Sequence, residues 1–147
     1  MKNFAFILVF FLVFSSFCVK DEKVTDVAQI LTNGAWIQVQ SLSDDDGDGI
    51  FSDESLPCEK DNTWVFNTDH TMTINDIGVL CTPDLGSFAI SGYWELNNND
   101  QILAAVLSNG FTQVAFNITS ISNYELILDI IPVNPTLAPT ERYVLQR

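Results

Sequence analysis

Basic residues and histidine are scarce in this chain. Of 147 residues, six are Lys or Arg against 19 Asp or Glu, and the formal net charge is −13. Clustered Lys and Arg are what binds phosphate groups, so this balance argues against nucleic acid as a partner and against attachment to anionic lipids through a basic patch. The one histidine, His70, lies in a turn-like stretch without a nucleophile or phosphate-binding motif. We therefore predict that the protein is not an enzyme, with an uncharacterised hydrolase as the alternative.

Long apolar runs are also scarce. The longest covers residues 4–14, which is short of the roughly 20 residues that a membrane-spanning helix needs. It follows Lys2 and gives way to small residues, which is the layout of a signal peptide. We predict a signal peptide over residues 1–18, a tether over 19–23 and a single domain over 24–147, a usual length for one domain.

Cysteine is present at three positions only, Cys18, Cys58 and Cys81. In the oxidising compartment that a signal peptide implies, the expected disulfide joins Cys58 to Cys81 and leaves Cys18 over. Two unpaired buried thiols are the alternative. A zinc site has little support, because there is one histidine and no close pair of cysteines.

The remaining cysteine, Cys18, lies directly after the apolar segment, where a bacterial lipoprotein has its acylated first residue. Residues 18–22 read Cys-Val-Lys-Asp-Glu and resemble the surface-export signal of Bacteroidota lipoproteins. We expect lipidation at Cys18 and attachment to the membrane through this anchor only, at the outer membrane or cell surface. The alternative is cleavage after Cys18, since Ser16 and Cys18 form a small-x-small pair, which would give a periplasmic or secreted protein.

Strand patterns fill most of the predicted domain. A short helix is expected over Thr25–Leu31 with Thr25 as its cap, and from there the apolar residues alternate with period two. The clearest strand is Phe88–Leu96. The other predicted strands are Ala35–Leu42, Thr63–Phe66, Thr71–Asn75, Gly78–Cys81, Gln101–Leu107, Gln113–Ile121, Glu125–Ile131 and Arg142–Gln146.

The connections between these strands are short and rich in Asn, Asp and Gly, so consecutive strands are expected to be antiparallel neighbours. Eight or nine strands in such a meander close most economically into a barrel, because closure removes the exposed edges of an open sheet. We therefore predict an all-β fold, an antiparallel meander closing into a barrel after a short N-terminal helix. A β-sandwich is the alternative.

Several short motifs resemble the lipocalin-like domains of Bacteroidota lipoproteins. They are the segment from Gly34 to Trp36 after the short helix, then residues 57–66, 92–96 and 141–145. The resemblance covers residues 24–147 and implies that Trp36 packs at a closed end of the barrel, beneath Arg142 or Arg147 as a cation over its ring.

This resemblance also implies a non-enzymatic binding protein for a small apolar molecule. The sequence assigns no ligand-contacting residue. If side chains fill the barrel instead, the alternative is a structural or protein-interaction module at the cell surface.

An acidic loop follows the first predicted strand. Asp44, Asp46 and Asp48 alternate and Gly49 follows them, which is similar to the calcium loops of EF-hand and dockerin repeats. The twelfth position holds Ser55 instead of the bidentate Glu, and Asp53 and Glu54 are the candidates to replace it. We expect a Ca²⁺ site with millimolar affinity, and no other cofactor; a solvated acidic loop is the alternative.

Overall fold

The computed structural model describes residues 26–81, 88–108, 112–132 and 140–147. In this part of the chain, one short helix is followed by nine strands. They are α1 (Val27–Leu31), β1 (Ala35–Asp44), β2 (Ser52–Asp53), β3 (Thr63–Phe66), β4 (Thr71–Asp76), β5 (Phe88–Asn97), β6 (Ile102–Leu107), β7 (Gln113–Ile121), β8 (Glu125–Ile130) and β9 (Thr140–Gln146).

Eight of the strands form a closed antiparallel barrel. From β3 to β9 each strand pairs with the next one in the chain, and β1 pairs with both β3 and β9. The two residues of β2 add only a short extra pairing, at Leu42 and Ser43 of β1. The predicted all-β meander that closes into a barrel is therefore confirmed, and the alternative of a sandwich is not observed.

The helix is shorter than the sequence suggested and begins one residue later. Its N-cap is Asp26, whose side chain accepts a hydrogen bond from Gln29 N at 3.1 Å; the prediction of Thr25 as the cap was wrong. A carboxylate cap of this kind satisfies one of the backbone donors that a helix leaves free at its start. At the other end, the Thr32 hydroxyl donates to Ala28 O at 2.8 Å.

The predicted strand Gly78–Cys81 is not a strand. Gly78 has a φ of +79°, a left-handed conformation that interrupts an extended segment. Asp61 holds the segment in this bend, since its Oδ2 accepts a hydrogen bond from Val79 N at 2.7 Å. The sequence also gave no sign of β2, because two paired residues leave no pattern of alternation.

The side chains that face inward from the strands form the core of the barrel, together with Ile30 and Leu31 of α1. Its largest fully buried side chains are Trp36, Phe66, Leu31, Met72, Leu103, Leu126, Leu128 and Leu145. Gly92 of β5 also faces inward, at a point where a Cβ atom would lie 2.4 Å from Val106 O of the neighbouring β6. The barrel wall therefore requires glycine at this position.

The described residues include no helix with the length and hydropathy that crossing a membrane requires. The predicted signal peptide, the tether and the lipidation site Cys18 lie outside the described residues, as does Thr25.

Candidate functional site

The helix α1 covers one end of the barrel. Trp36, with 0% exposure, donates its indole N–H to Leu31 O at 2.9 Å. The guanidinium of Arg147 lies 3.7 Å from the centre of the Trp36 ring and donates a hydrogen bond to Ile30 O. Ile30 and Leu31 are buried beneath these contacts. The indole, the helix and the guanidinium thus shut this end of the barrel.

Of the two arginines expected near Trp36, it is Arg147 that covers the ring. Arg142 lies on the other face of the wall, 4.1 Å from the centre of the Phe51 ring, and binds Asp129 through Nε at 2.6 Å and Nη2 at 2.8 Å. Burial acts to raise the pKa of Asp129, but hydrogen bonds from Arg142 and Thr119 outweigh it and hold that pKa below its ordinary value.

A cavity of about 310 Å³ lies inside the barrel, toward the end opposite α1. Binding sites for small molecules range from about 300 to 1,000 Å³, so the cavity has room for a small ligand. Most of the lining is apolar. These lining residues are Trp64, Met72, Ile74, Ala105, Leu107, Val114, Phe116 and Ile130.

Three aromatic rings pack against one another in the cavity wall. Trp64 lies 6.1 Å from Phe116 and 5.7 Å from Tyr143, and Phe116 lies 6.2 Å from Tyr143, all between ring centres. Edge-on and tilted pairs at these distances are favourable arrangements of aromatic rings. Because the three rings pack against one another, they form part of the cavity wall and do not fill the space beside them.

Polar side chains line one side of the cavity. Gln38 on β1 and Tyr143 on β9 come from neighbouring strands, and Glu59 and Asn62 come from the loop that leads into β3. Thr112 contributes from the opposite side. The cavity therefore combines an apolar body with a polar region at its mouth, which is the usual composition of a small-molecule site.

A disulfide ties the loop that carries Glu59 to the segment that follows β4. Cys58 bonds to Cys81 across 23 residues of sequence, with 5.0 Å between the two Cα atoms, and the predicted pairing is confirmed. Because Cys58 directly precedes Glu59, the bond restrains the carboxylate at the mouth of the cavity.

The structure brings three of the five predicted calcium ligands together. Carboxylate oxygens of Asp44, Asp46 and Asp48 lie within 4.8 Å of one another. Asp44 is buried, and its carboxylate accepts hydrogen bonds from Gly47 N at 2.9 Å, Asp48 N at 3.1 Å and Gly49 N at 3.0 Å. These backbone amides hold the Asp44 carboxylate in place. The side chains of Asp46 and Asp48 are exposed next to it.

The other two predicted ligands are engaged elsewhere. Hydrogen bonds from Ser55, together with Lys60 at 3.2 Å, hold the pKa of Asp53 at about 2. Glu54 accepts a hydrogen bond from the Ser52 hydroxyl at 3.0 Å. Neither belongs to the group of converging carboxylates formed by Asp44, Asp46 and Asp48.

His70 is exposed in the turn between β3 and β4, and its ring packs against the buried Trp94. Its ring centre lies 5.0 Å from that of Trp94, and its Nδ1 lies 3.2 Å from Trp94 O. Both contacts hold the His70 ring against β5.

Sequence reasoning missed the polar residues of the cavity mouth, Gln38, Glu59, Asn62 and Tyr143. Glu59 and Asn62 lie outside regular strands, so no periodicity assigns them a side of the barrel. The one signal near them is Cys58, because a disulfide beside a loop fixes that loop in place.

No protein-family model matches the chain, and no curated protein matches it. The closed eight-stranded barrel is compatible with a lipocalin-like fold.

Proposed function

We propose that this protein is an exported, lipid-anchored, lipocalin-like binding protein that holds a small apolar ligand inside its barrel. The observation behind this is the cavity of about 310 Å³, whose walls are mostly apolar, in a barrel that α1 shuts at the other end. A ligand that leaves water for such a site gains roughly 25 cal/mol for each Å² of apolar surface it buries. Binding is non-enzymatic and reversible.

A pair of substitutions on β6 tests the binding site. Ala105 is buried and lines the cavity, and its neighbour Ala104 faces the other side of the wall. Ala105→Phe is expected to fill part of the cavity and weaken binding of 1-octanol by more than about tenfold, the effect of about 1.4 kcal/mol. Ala104→Phe makes the same chemical change outside the cavity and should leave binding intact. Isothermal titration calorimetry measures both.

No binding of 1-octanol or similar small apolar molecules to the parent protein would contradict a ligand-binding role. Equal losses in Ala104→Phe and Ala105→Phe would show that the cavity is not where the ligand binds. A protein-interaction module at the cell surface would then be the better description.

The anchor is tested separately, because export and lipidation depend on residues that precede the barrel. Metabolic labelling with a radioactive fatty acid should mark the parent protein and not Cys18→Ser. The parent should also partition with the outer membrane, while Cys18→Ser is released in soluble form. An unlabelled mature chain beginning at Val19 would instead indicate ordinary secretion.

Calcium binding by the acidic loop stays a prediction. The carboxylates of Asp44, Asp46 and Asp48 supply three oxygen ligands, and water would have to complete the six to eight that Ca²⁺ prefers. Millimolar Ca²⁺ should raise the melting temperature of the parent, and the double variant Asp46→Ala and Asp48→Ala should abolish the rise. An equal rise with Mg²⁺ would point to nonspecific screening of the acidic surface.

A further inference from the structure

The polar side of the cavity carries negative charge and a hydrogen-bond acceptor without a partner in the described chain. Glu59 is the one charged residue in the lining of the cavity as the structure describes it. Its carboxylate accepts a hydrogen bond from Leu56 N at 3.1 Å through Oε2. Burial raises the pKa of the nearby Tyr143 hydroxyl, and the charges of Glu141 and Glu59 raise it further. The field at the mouth therefore favours positive charge.

Asn62 adds an acceptor that nothing in the described chain satisfies. Its backbone carbonyl accepts from Gln38 N at 2.8 Å, but its side-chain Oδ1 is buried without a hydrogen-bond partner. By contrast, Gln38 Oε1 accepts from Trp64 Nε1 at 3.1 Å, and the Tyr143 hydroxyl donates to Glu141 at 3.1 Å. A ligand that donates hydrogen bonds would satisfy Asn62 without breaking either of these contacts.

A second unsatisfied acceptor lies next to Asn62. Thr63 pairs with Asn75 across β3 and β4, so Asn62 and Asp76 are the next residues opposite each other in register. Asp76 is 2% exposed, its Oδ2 accepts only a long 3.4 Å hydrogen bond from Cys81 N, and its Oδ1 has no partner in the described chain. Asp76 does not line the cavity itself, but it places a second carboxylate with an unpartnered oxygen beside Asn62, which does.

No basic side chain is available to receive an anionic ligand at this site. From residue 26 onward the sequence holds three Lys or Arg residues, Lys60, Arg142 and Arg147. Lys60 forms an ion pair with Asp53 at 3.2 Å, Arg142 binds Asp129, and Arg147 covers Trp36. None of the three lines the cavity.

Taking the proposed binding role as the premise, we propose that the ligand is a small apolar molecule with a protonated amino group. The apolar body occupies the cavity, and the ammonium group donates hydrogen bonds to the Glu59 carboxylate and to Asn62 Oδ1. An ammonium carries three donors and no acceptor, which suits the Glu59 carboxylate and the unpartnered Asn62 Oδ1. A carboxylate of the same size is disfavoured, because it would meet Glu59 with no cation in between.

Three probes with one chain length and different head groups test this: octylamine, 1-octanol and octanoate. Isothermal titration calorimetry at neutral pH and low salt should give the tightest binding for octylamine, then 1-octanol, then octanoate. Glu59→Gln keeps the shape of the side chain and removes its charge, so it should weaken octylamine by about tenfold and leave 1-octanol unchanged. Asn62→Leu removes the unpartnered acceptor and should also weaken the binding of octylamine.

Glu95→Gln is the matched control, since Glu95 is exposed on β5 and does not line the cavity. It should leave the binding of all three probes unchanged. If 1-octanol or octanoate binds the parent as tightly as octylamine, the head-group assignment is overturned while the apolar cavity stands. If Glu59→Gln weakens 1-octanol as much as octylamine, Glu59 acts only by shaping the mouth, and the assignment is again overturned. If none of the three probes binds, the proposed binding function and the head-group assignment both fail.

Discussion

Replacing Trp36 by Phe removes one hydrogen bond at the closed end of the barrel and keeps an aromatic ring in place. The bond that disappears joins the Trp36 indole N–H to Leu31 O at 2.9 Å, and both residues have 0% exposure. Water therefore cannot reach the carbonyl to replace the lost donor. The Arg147 guanidinium still has a ring to cover, so the change isolates the hydrogen bond better than a substitution by Ala would.

The closest comparison in the same barrel is Trp94→Phe. Trp94 is 4% exposed, and its indole also donates to a backbone carbonyl, Asn67 O at 3.1 Å. Asn67 is exposed, so solvent can take over as its donor. The two substitutions thus make the same chemical change and differ in whether the acceptor that loses its partner is buried.

The difference in stability between the two variants depends on whether the carbonyl that loses its donor is buried. Leaving a buried carbonyl unsatisfied costs about 1–3 kcal/mol, whereas exchanging a hydrogen bond for one to water costs about 0.5–1.5 kcal/mol. Trp36→Phe should therefore reduce the free energy of unfolding by about 0.5–1.5 kcal/mol more than Trp94→Phe. For a domain of this size, that corresponds to a melting temperature lower by about 2–6 °C.

Urea unfolding followed by circular dichroism measures both variants against the parent, and equal slopes of the unfolding transitions would validate the comparison. If Trp36→Phe loses no more stability than Trp94→Phe, the hydrogen bond to the helix does not hold the closed end together. Packing of the ring alone would then account for the contribution of Trp36.

Other substitutions test the wall, the loop and the ion pair. Gly92→Ala should lower stability by more than about 1 kcal/mol in urea unfolding, because the added Cβ meets Val106 O at 2.4 Å; wild-type stability would contradict the close approach. Replacing Cys58 and its partner by Ala should cost about 3 kcal/mol for a loop of this length, and an unchanged urea midpoint would refute that. The Asp129 pKa is depressed in the folded protein, so its stabilising contribution is complete above the ordinary pKa of 3.8 and is lost as the pH falls through the folded value. Asp129→Asn should therefore weaken the dependence of stability on pH below about pH 4, and an acid titration identical to that of the parent would exclude this role.

The strands were predictable because one face of each is buried in the barrel. In β5, the alternation in the sequence separates Gly92 and Trp94, which are buried, from Tyr93 and Glu95, which are exposed. The meander followed from the short predicted connections, since each one restricts a strand to pairing with its neighbour. Closure followed from the exposed edges that an open sheet would leave. Patterns of this kind depend only on residues that are close in the sequence. A meander is predictable from them because it pairs strands that follow one another in the chain.

The cavity was not predictable for the same reason. Whether a barrel is hollow depends on how side chains from different strands share one interior, as Trp64, Phe116 and Tyr143 do when they pack against each other. The positions of Glu59 and Asn62 depend on the path of a loop restrained by a disulfide and by Gln38 N bonding to Asn62 O. No pattern in the sequence encodes that path.

Pairing between the first and last barrel strands also constrains when this protein folds. β1 and β9 form seven residue pairs, from Ile37 with Gln146 to Asp44 with Thr140, so the two partners lie about a hundred residues apart in the chain. Contacts of such long range slow folding, because the entropy of closing the loop is lost before the pairing is gained. A chain still being synthesised lacks β9, and the sheet that it can form has two open edges. We expect a chain cut after Ile131 to lack the near-ultraviolet circular dichroism of the packed barrel; a native spectrum from that fragment would show that closure is not required.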